Sequence, residues 1–405
     1  MKYIALLGFG VVGSGTAEVL TENRKQIAAH CKEEISVKYI LDLRDFPDHP
    51  LGDRVVHDIA PILNDPEVEL VAEMMGGSHP AYEFTRAALE AGKSVVTSNK
   101  EVVSTYGVEL LALAREKGVS YLFEASVGGG IPIIRPMQTD LASNEILTVS
   151  GILNGTTNFI LTKMKNEGAD FATVLKEAQQ KGYAEANPAA DVEGIDAARK
   201  IVILAALAYG VLLDPGSIPT EGITAITSTH TAVAERLGGA VKLIGHAERT
   251  DGRIYAGVSP HFVPSSNPLS HVDDVYNGIL VEANMLGRAL FYGAGAGKLP
   301  TASAVVADII DVLSHRASER ILPVWRAAQA SEVAGADAYR CRRVLVIKGC
   351  PMCAKKAMRA LEVAEYVSVE EGVFAVISNP TSEADATSAL AAVGLEPVLT
   401  MPVLD

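Results

Sequence analysis

Residues 3–13 read YIALLGFGVVG. Tyr3 to Leu7 is an apolar run of strand length, and Gly8, Gly10 and Gly13 complete a GxGxxG spacing. That spacing alone is a weak signal. Its context strengthens it: a helical pattern runs from Val12 to about Ala29, and a second strand-like run covers Ile35 to Leu41. Strand, glycine turn, helix and strand in this order are the fingerprint of a dinucleotide-binding unit. Gly8 permits the tight turn, Gly10 lets the backbone approach a pyrophosphate, and Gly13 allows close helix packing. Phe9, Val11 and Val12 complete the expected cofactor contacts at the N-terminus of the helix.

The second strand ends in Asp42-Leu43-Arg44-Asp45. A carboxylate there would bond the ribose hydroxyls of NAD, and an arginine would accept the 2′-phosphate of NADP. Both are present, so NADP or NAD stays open. Strand-like runs at Glu69–Met75 and Ser94–Thr97 end in Gly76-Gly77-Ser78 and Ser98-Asn99-Lys100. Small residues at strand C-termini are where a doubly wound sheet binds its ligand. Gly76, Ser98 and Lys100 are therefore site candidates, with an ordinary surface lysine as the alternative for Lys100. A helix at Gly107–Lys117 and a strand at Val119–Glu124 complete the alternation. The glycine run that follows, Val127 to Ile131, could serve a hinge, a cation held by carbonyls or close approach to a nicotinamide.

Length and composition bound the rest. The chain has 405 residues, two or three domains by a soft prior, and is 48% hydrophobic. Its net charge of −14 argues against a nucleic-acid partner and against an anionic membrane. Four cysteines make no disulfide framework, so a reducing, cytoplasmic location is expected. No apolar stretch is long enough for a membrane span.

The middle of the chain reads as an α+β domain with strands at Glu145–Leu153, Val241–His246, Ile254–Pro264 and Gly278–Asn284. Within it, residues 178–200 read AQQKGYAEANPAADVEGIDAARK, with Glu185, Asp191, Glu193 and Asp196 ahead of a strongly aliphatic helix. Asp196 and Lys200 stand at i and i+4, on one face. A surface ion pair is the plain reading, but the same face turns apolar at Ile203, Leu204 and Leu207, which suggests a cleft. Asn154-Gly155-Thr156-Thr157 is a polar loop able to cap the next helix. Gly293 to Thr301 opens a long helix from Ala302 to about His315, with Thr301 able to cap it; the glycine loop, with Gly297, could touch cofactor or be only the return connection to the first domain.

These blocks together resemble the homoserine dehydrogenase family. AQQKGYAEANPAADVEGIDAARK is similar to its signature, and GILNGTTNFIL, TSNKE, EASVGGGIP and GAGAGKLPTASAVVAD look like its other blocks, in order, over residues 1–320. The resemblance implies reversible NAD(P)H-dependent reduction of L-aspartate 4-semialdehyde to L-homoserine. It gives Lys200 as proton donor with Asp196 as partner, and Lys100 at substrate or nicotinamide. Glu185, Asp191, Tyr183 and Thr156 fall at the substrate, Glu185 on its amino group. A monovalent cation such as sodium is implied on the backbone carbonyls of Glu124, Val127, Gly129 and Ile131. A homodimer or homotetramer follows from the same likeness. A Rossmann-type redox-sensing regulator without turnover is the alternative from a different class.

The expected organisation is an α/β chain with a Rossmann dinucleotide-binding domain at 1–132 and an α+β substrate and dimerisation domain at 133–300. A helix at 301–325 returns to the first domain, an Ala-rich linker covers 326–340, and a ferredoxin-like βαββαβ domain covers 341–405. That last order resembles the ACT regulatory domain, but its usual proline-glycine turn is replaced by Lys348-Gly349-Cys350-Pro351-Met352-Cys353. This departure puts threonine feedback in question. Redox switching and metal binding are both conceivable for Cys350 and Cys353, and two unlinked structural cysteines are the favoured reading.

Overall fold

The strands that open the chain are apolar on both faces, which suits a parallel sheet covered by helices on either side. The computed structural model describes residues 1–320 and 322–405. In chain order the first 138 residues form β1 (Lys2–Leu7), α1 (Val11–Glu22), α2 (Arg24–Cys31), β2 (Ile35–Leu41), β3 (Val55–Val56), α3 (Ala60–Asn64), β4 (Val68–Glu73), α4 (Ala81–Glu90), β5 (Ser94–Thr97), α5 (Lys100–Lys117), β6 (Tyr121–Leu122) and α6 (Ile134–Gln138). The six strands pair in parallel in the order β3-β2-β1-β4-β5-β6. This is the doubly wound order whose crevice lies beyond the C-terminal ends of β1 and β4. Ile4 to Leu7 and Leu70 to Ala72 are fully buried at its centre.

Three local expectations change. The helix expected from Val12 to Ala29 is two helices, because Asn23 leaves helical geometry (φ −98°, ψ 18°). The helix expected at Gly107 starts at Lys100, since the Asn99 side chain accepts from the amides of Glu101 and Val102 and caps it there. The last strand shortens to Tyr121–Leu122, because Glu124 already begins the next turn.

The next stretch contains β7 (Ile146–Ile152), α7 (Gly155–Glu167), α8 (Phe171–Gln180), α9 (Ala189–Val192), α10 (Ile195–Tyr209), β8 (Val211–Leu212), α11 (Ser228–Arg236), β9 (Gly239–Thr250), β10 (Arg253–Pro264), β11 (Tyr276–Ala283) and β12 (Gly287–Ala294). The five long strands form a second sheet in the order β10-β9-β7-β11-β12. Asp251 and Gly252 join β9 to β10, both in the left-handed region (φ 51° and 76°). An Asp-Gly pair in that conformation matches the twist of a tight hairpin. β12 escaped the sequence reading, as its alternation is interrupted by glycine and its residues are largely exposed.

The chain then forms α12 (Lys298–Ser314), β13 (Arg326–Ala327), β14 (Arg343–Lys348), α13 (Pro351–Ala360), β15 (Val367–Glu370), β16 (Val373–Ile377), α14 (Glu383–Ala391) and β17 (Pro397–Pro402). Gly297, not Thr301, is the N-cap residue of α12, which begins one turn earlier than expected and carries Pro300 in its first turn. The final six elements run βαββαβ with strand order β15-β16-β14-β17, the ferredoxin-like arrangement expected.

Met1–Glu145, Val202–Asp214 and Gly293–Ala327 form one compact unit; Ile146–Ile201, Pro215–Tyr292 and Ala328–Asp405 form the other. In the second unit, Tyr339 stacks on Tyr255 with centroids 4.6 Å apart, and the tail beyond β17 joins the free edge of β10 through Leu404 N–H and Phe262 O. The second sheet's outer edge is thus covered by the C-terminal module.

A buried ionic cluster fastens α12 inside the first unit. Glu124 accepts from the amides of Ile133, Ile134 and Arg135 and so starts α6. Asp308 on α12 accepts from Glu124 N–H at 2.8 Å and from the Arg135 guanidinium at 2.7 Å. Burial first, then the neighbouring Glu124 carboxylate, push the Asp308 carboxyl up to about 8 against the pull of Arg135. The folded chain therefore holds a proton there that the unfolded chain has released. Such a contribution is complete below the ordinary aspartate pKa of 3.8 and is lost as pH rises through about 8. Asp308→Asn removes the titration. Its stability relative to the parent is expected to improve steadily between pH 4 and 8 in urea unfolding, and a constant difference across that window would refute the assignment.

Candidate active site

In the first unit the glycines of the opening stretch sit between β1 and α1. Gly8 has φ +86°, and a Cβ there would lie 2.9 Å from Met74 O. A Cβ on Gly13 would lie 2.1 Å from Gly8 O, so the helix can approach the turn only without one. At Gly10 a Cβ would meet nothing within 4 Å, leaving an open groove at the turn. No side chain caps α1, so its first amides face that groove. Val11 is exposed, Val12 half-buried, and Phe9 buried against Phe46 and His49. This cradle fits a pyrophosphate.

Asp42 and Arg44 are engaged with each other. The guanidinium of Arg44 grips both carboxylate oxygens of Asp42 at 3.0 Å and lies over the Phe46 ring. Asp42 also accepts from Phe9 N–H at 2.8 Å, joining the end of β2 to the glycine turn. Arg44 first, then the Phe9 amide against the cost of burial, hold the Asp42 carboxyl down at about 2.

At the end of β4 stands a carboxylate that sequence reading missed. Glu73 is fully buried and accepts from Thr97 Oγ1 at 2.6 Å and Met75 N–H at 2.8 Å, with Asn99 Nδ2 at 3.4 Å. Burial raises its pKa despite these donors. It ties the Gly76 turn to the Ser98-Asn99-Lys100 turn at the neighbouring strand end. Gly76 is exposed, while Ser98 and Lys100 are half-buried, Lys100 as the first residue of α5. Gly297 lies exposed ahead of α12, and Lys298 beside it pairs with Glu18 of α1 at 2.6 Å. Glu124, Val127, Gly129 and Ile131 are all buried, in a loop held by Ile131 N–H to Gly128 O and Gly130 N–H to Ala294 O.

In the second unit the expected ion pair is buried, not solvated. Lys200 and Asp196 retain 8% and 6% of their exposure. The Lys200 ammonium donates to Asp196 Oδ2 and to Leu153 O, both at 2.7 Å. Asn154 Nδ2 donates to the same Asp196 oxygen at 3.0 Å and to Asp191 Oδ1 at 2.7 Å. The Asn154 carbonyl oxygen meanwhile accepts from Thr157 N–H and caps α7. One side chain thus sets where α7 begins and draws together two carboxylates, one of them paired with the lysine. Its capping role was legible in the sequence; its grip on Asp191 and Asp196 depends on residues 37 and 42 positions away.

Thr156 Oγ1 donates to Tyr183 O at 2.6 Å, drawing the 182–188 turn onto α7. The Tyr183 ring packs edge-on to Phe159, with 44% of the residue exposed. Glu185 is exposed; its backbone carbonyl accepts from Gln179. Behind the loop, Ile223 N–H bonds Val192 O at 2.8 Å. A lysine held in place by an aspartate and a backbone carbonyl suits proton donation to an oxygen.

Two family models match the chain. The family model described as "Homoserine dehydrogenase, NAD binding domain" matches residues 8–124, and the one described as "Homoserine dehydrogenase" matches 132–310. Homoserine dehydrogenase of Pseudomonas aeruginosa is 43% identical over 317 residues, 78% of this chain and 73% of that protein. That of Neisseria gonorrhoeae is 44% identical over 311 residues, 76% of this chain and 72% of that protein. Among solved structures, a homoserine dehydrogenase from Thiobacillus denitrificans superposes with a TM-score of 0.90 at 36% identity, covering 100% of this chain and 98% of that one. A hyperthermophilic archaeal homoserine dehydrogenase in complex with NADPH gives 0.65 at 29% identity, covering 77% and 98%.

Replacing Asn154 by Ala removes the α7 cap and leaves Asp191 and Asp196 without their shared donor. The cap alone is worth about 1 kcal/mol. The variant is expected to unfold at lower denaturant with an unchanged m-value, and an unaltered midpoint would contradict the double role.

Proposed function

The chain belongs to the homoserine dehydrogenase family, and from that premise we propose that it reduces L-aspartate 4-semialdehyde reversibly to L-homoserine with Lys200 as the proton donor. It is an NAD(P)-dependent oxidoreductase. The observation that carries the residue assignment is the buried Lys200–Asp196 pair, fastened on one side by Leu153 O and on the other by Asn154. A nucleotide-sensing regulator without turnover has no use for such an array.

NAD(P)H, when bound, supplies the hydride that adds to the aldehyde carbon. The chain's own residues handle the charge. Lys200 Nζ donates a proton to the oxygen as it becomes an alkoxide, which removes charge that would otherwise build up in the transition state. Asp196 and Leu153 O aim the ammonium and keep it in place without solvent reorganisation. Asp191, held by Asn154, and exposed Glu185 are proposed to receive the substrate, Glu185 at its ammonium group. Tyr183 and Thr156 shape that end of the pocket. Lys100, at the strand end in the nucleotide-binding unit, is proposed as a second cation for substrate or nicotinamide.

Gly8, Phe9, Gly10, Val11, Val12 and Gly13 are proposed to hold the pyrophosphate, with Gly76, Ser98 and Gly297 as further cofactor contacts. Arg44 is proposed to take a 2′-phosphate, its side chain being exposed just beyond the end of β2. The carbonyls of Glu124, Val127, Gly129 and Ile131 are proposed for a monovalent cation such as sodium. A homodimer or homotetramer paired through the second sheet, in the cytoplasm, completes the reading; β12 presents Leu290 and Tyr292 on its exposed edge. No helix among the described residues is long and apolar enough to cross a membrane.

Adding L-aspartate 4-semialdehyde to the protein and NADPH should consume NADPH, and no consumption with either nicotinamide would reject the activity. Lys200→Ala should lower kcat by about 10²- to 10⁴-fold while NADPH binding, followed by fluorescence, persists. Near-normal turnover in that variant removes Lys200 from its role. Arg44→Ala should raise KM for NADPH about tenfold, as expected for losing a charge-assisted hydrogen bond, and leave that for NADH unchanged. Equal effects on both cofactors would show that Arg44 does not read the phosphate.

A further inference from the structure

The Cys350-Pro351-Met352-Cys353 segment lies outside both family-model matches, at the tip of the C-terminal module. Cys350 is the N-cap residue of the ten-residue helix α13, and Pro351, Met352 and Cys353 form its first turn, two residues after β14 ends. The two sulfurs are 3.5 Å apart. Cys350 is exposed and Cys353 half-buried, both as free thiols, so the pair is not packed as core. Met352 between them is 64% exposed.

We propose that Cys350 and Cys353, with Met352 beside them, bind a soft monovalent metal ion of the Cu(I) class. Three observations converge on this chemistry. The first is the ligand set: two thiols and an exposed thioether lie within four consecutive residues, and soft sulfur ligands select Cu(I). Oxygen-seeking ions have nothing to hold, and a structural zinc site needs four ligands. Among the described residues no group of three or more His, Cys, Asp or Glu side chains could hold a metal. Cys341, the other cysteine of this module, is bound into the strand-like bridge with Thr381, and burial pushes its thiol up.

The second observation is the shape of the loop. Gly349 has φ +152°, and a Cβ there would lie 2.7 Å from Cys353 Sγ. Its N–H bonds Gly372 O at 2.9 Å, which anchors the loop to the turn between β15 and β16. The chain thus passes close to the Cys353 sulfur, while Cys350 stands exposed. Metal–thiolate bonds of about 2.3 Å, the length found at zinc, require the sulfurs to move apart by about 1 Å for two-coordinate binding. Cys350, being exposed, supplies that movement by side-chain rotation.

The third is charge. In a chain of net charge −14, Lys348, Lys355 and Lys356 are all exposed and lie within five residues of the pair in sequence. Binding breaks two S–H bonds, forms two S–Cu bonds and releases two protons with no change of oxidation state, leaving a complex of charge −1. A thioether contributes nothing to a thiol–disulfide couple, which is why Met352 favours the metal over a purely redox pair.

The test is anaerobic competition between the full-length reduced protein and bicinchoninate for Cu(I), independent of dehydrogenase activity. The parent chain should retain one equivalent per chain. Cys350→Ser and Cys353→Ser should each lose it, Met352→Leu should weaken it, and Cys341→Ser should keep it. Circular dichroism confirms that each variant is folded. Failure of the parent to compete, or equal retention by the Cys350→Ser/Cys353→Ser double variant, overturns the proposal. A pair that cycles to a disulfide under oxidant without ever retaining Cu(I) also overturns it, in favour of a redox dithiol.

Discussion

Burying an ammonium and a carboxylate together costs several kcal/mol per ion in lost hydration. Lys200 and Asp196 stay charged in the interior only if every neighbour is arranged to repay that cost. Leu153 O, at the end of β7, and Asn154, at the cap of α7, do this from a strand and a helix that precede the pair by more than 40 residues. The start of α7, the orientation of Asp191 and the placement of the acidic loop all follow from the same few hydrogen bonds. A pair so fastened holds its ammonium in one place with no need for solvent to reorganise, which is where electrostatic catalysis draws its advantage.

The nucleotide-binding unit solves a different problem. A phosphate must meet backbone amides closely, so side chains are removed where strand, turn and helix converge at Gly8 and Gly13. The strand ends around this crevice are then tied together by polar groups. Asp42 links Phe9 N–H to Arg44, and Glu73 links the turns after β4 and β5. Glu124 and Asp308 perform a similar task for α6 and α12. In each case a carboxylate satisfies at least one backbone amide in a turn or at a helix start.

The C-terminal module follows a third logic. Its sheet shares the outer edge of β10, and the Tyr255–Tyr339 stack packs beneath the connection, so the module is built onto the catalytic unit's own sheet. The core of the module is apolar, yet its tip carries three sulfur-containing side chains in or close to solvent. Sulfur left at a surface is costly in oxidation and earns no packing energy, which points to a use beyond folding.

The doubly wound sheet, the GxGxxG turn and the βαββαβ order of the last 65 residues were legible because each rests on local periodicity and glycine spacing. So was the i, i+4 placement of Asp196 and Lys200, which helix geometry imposes. Two helix starts differed from expectation: the Asn99 side chain caps α5 through its hydrogen bonds, whereas α12 begins one turn ahead of Thr301, at Gly297, with no side-chain cap. β12 was missed because an exposed, glycine-punctuated edge strand has no apolar alternation to read. Glu73 and the second role of Asn154 were hidden because a sequence does not say which distant donors a polar residue will meet. The sequence by itself determined the order of elements and the chemical inventory of the site. Tertiary structure alone decided that the lysine–aspartate pair is buried rather than solvated, since burial depends on what the rest of the chain packs over it.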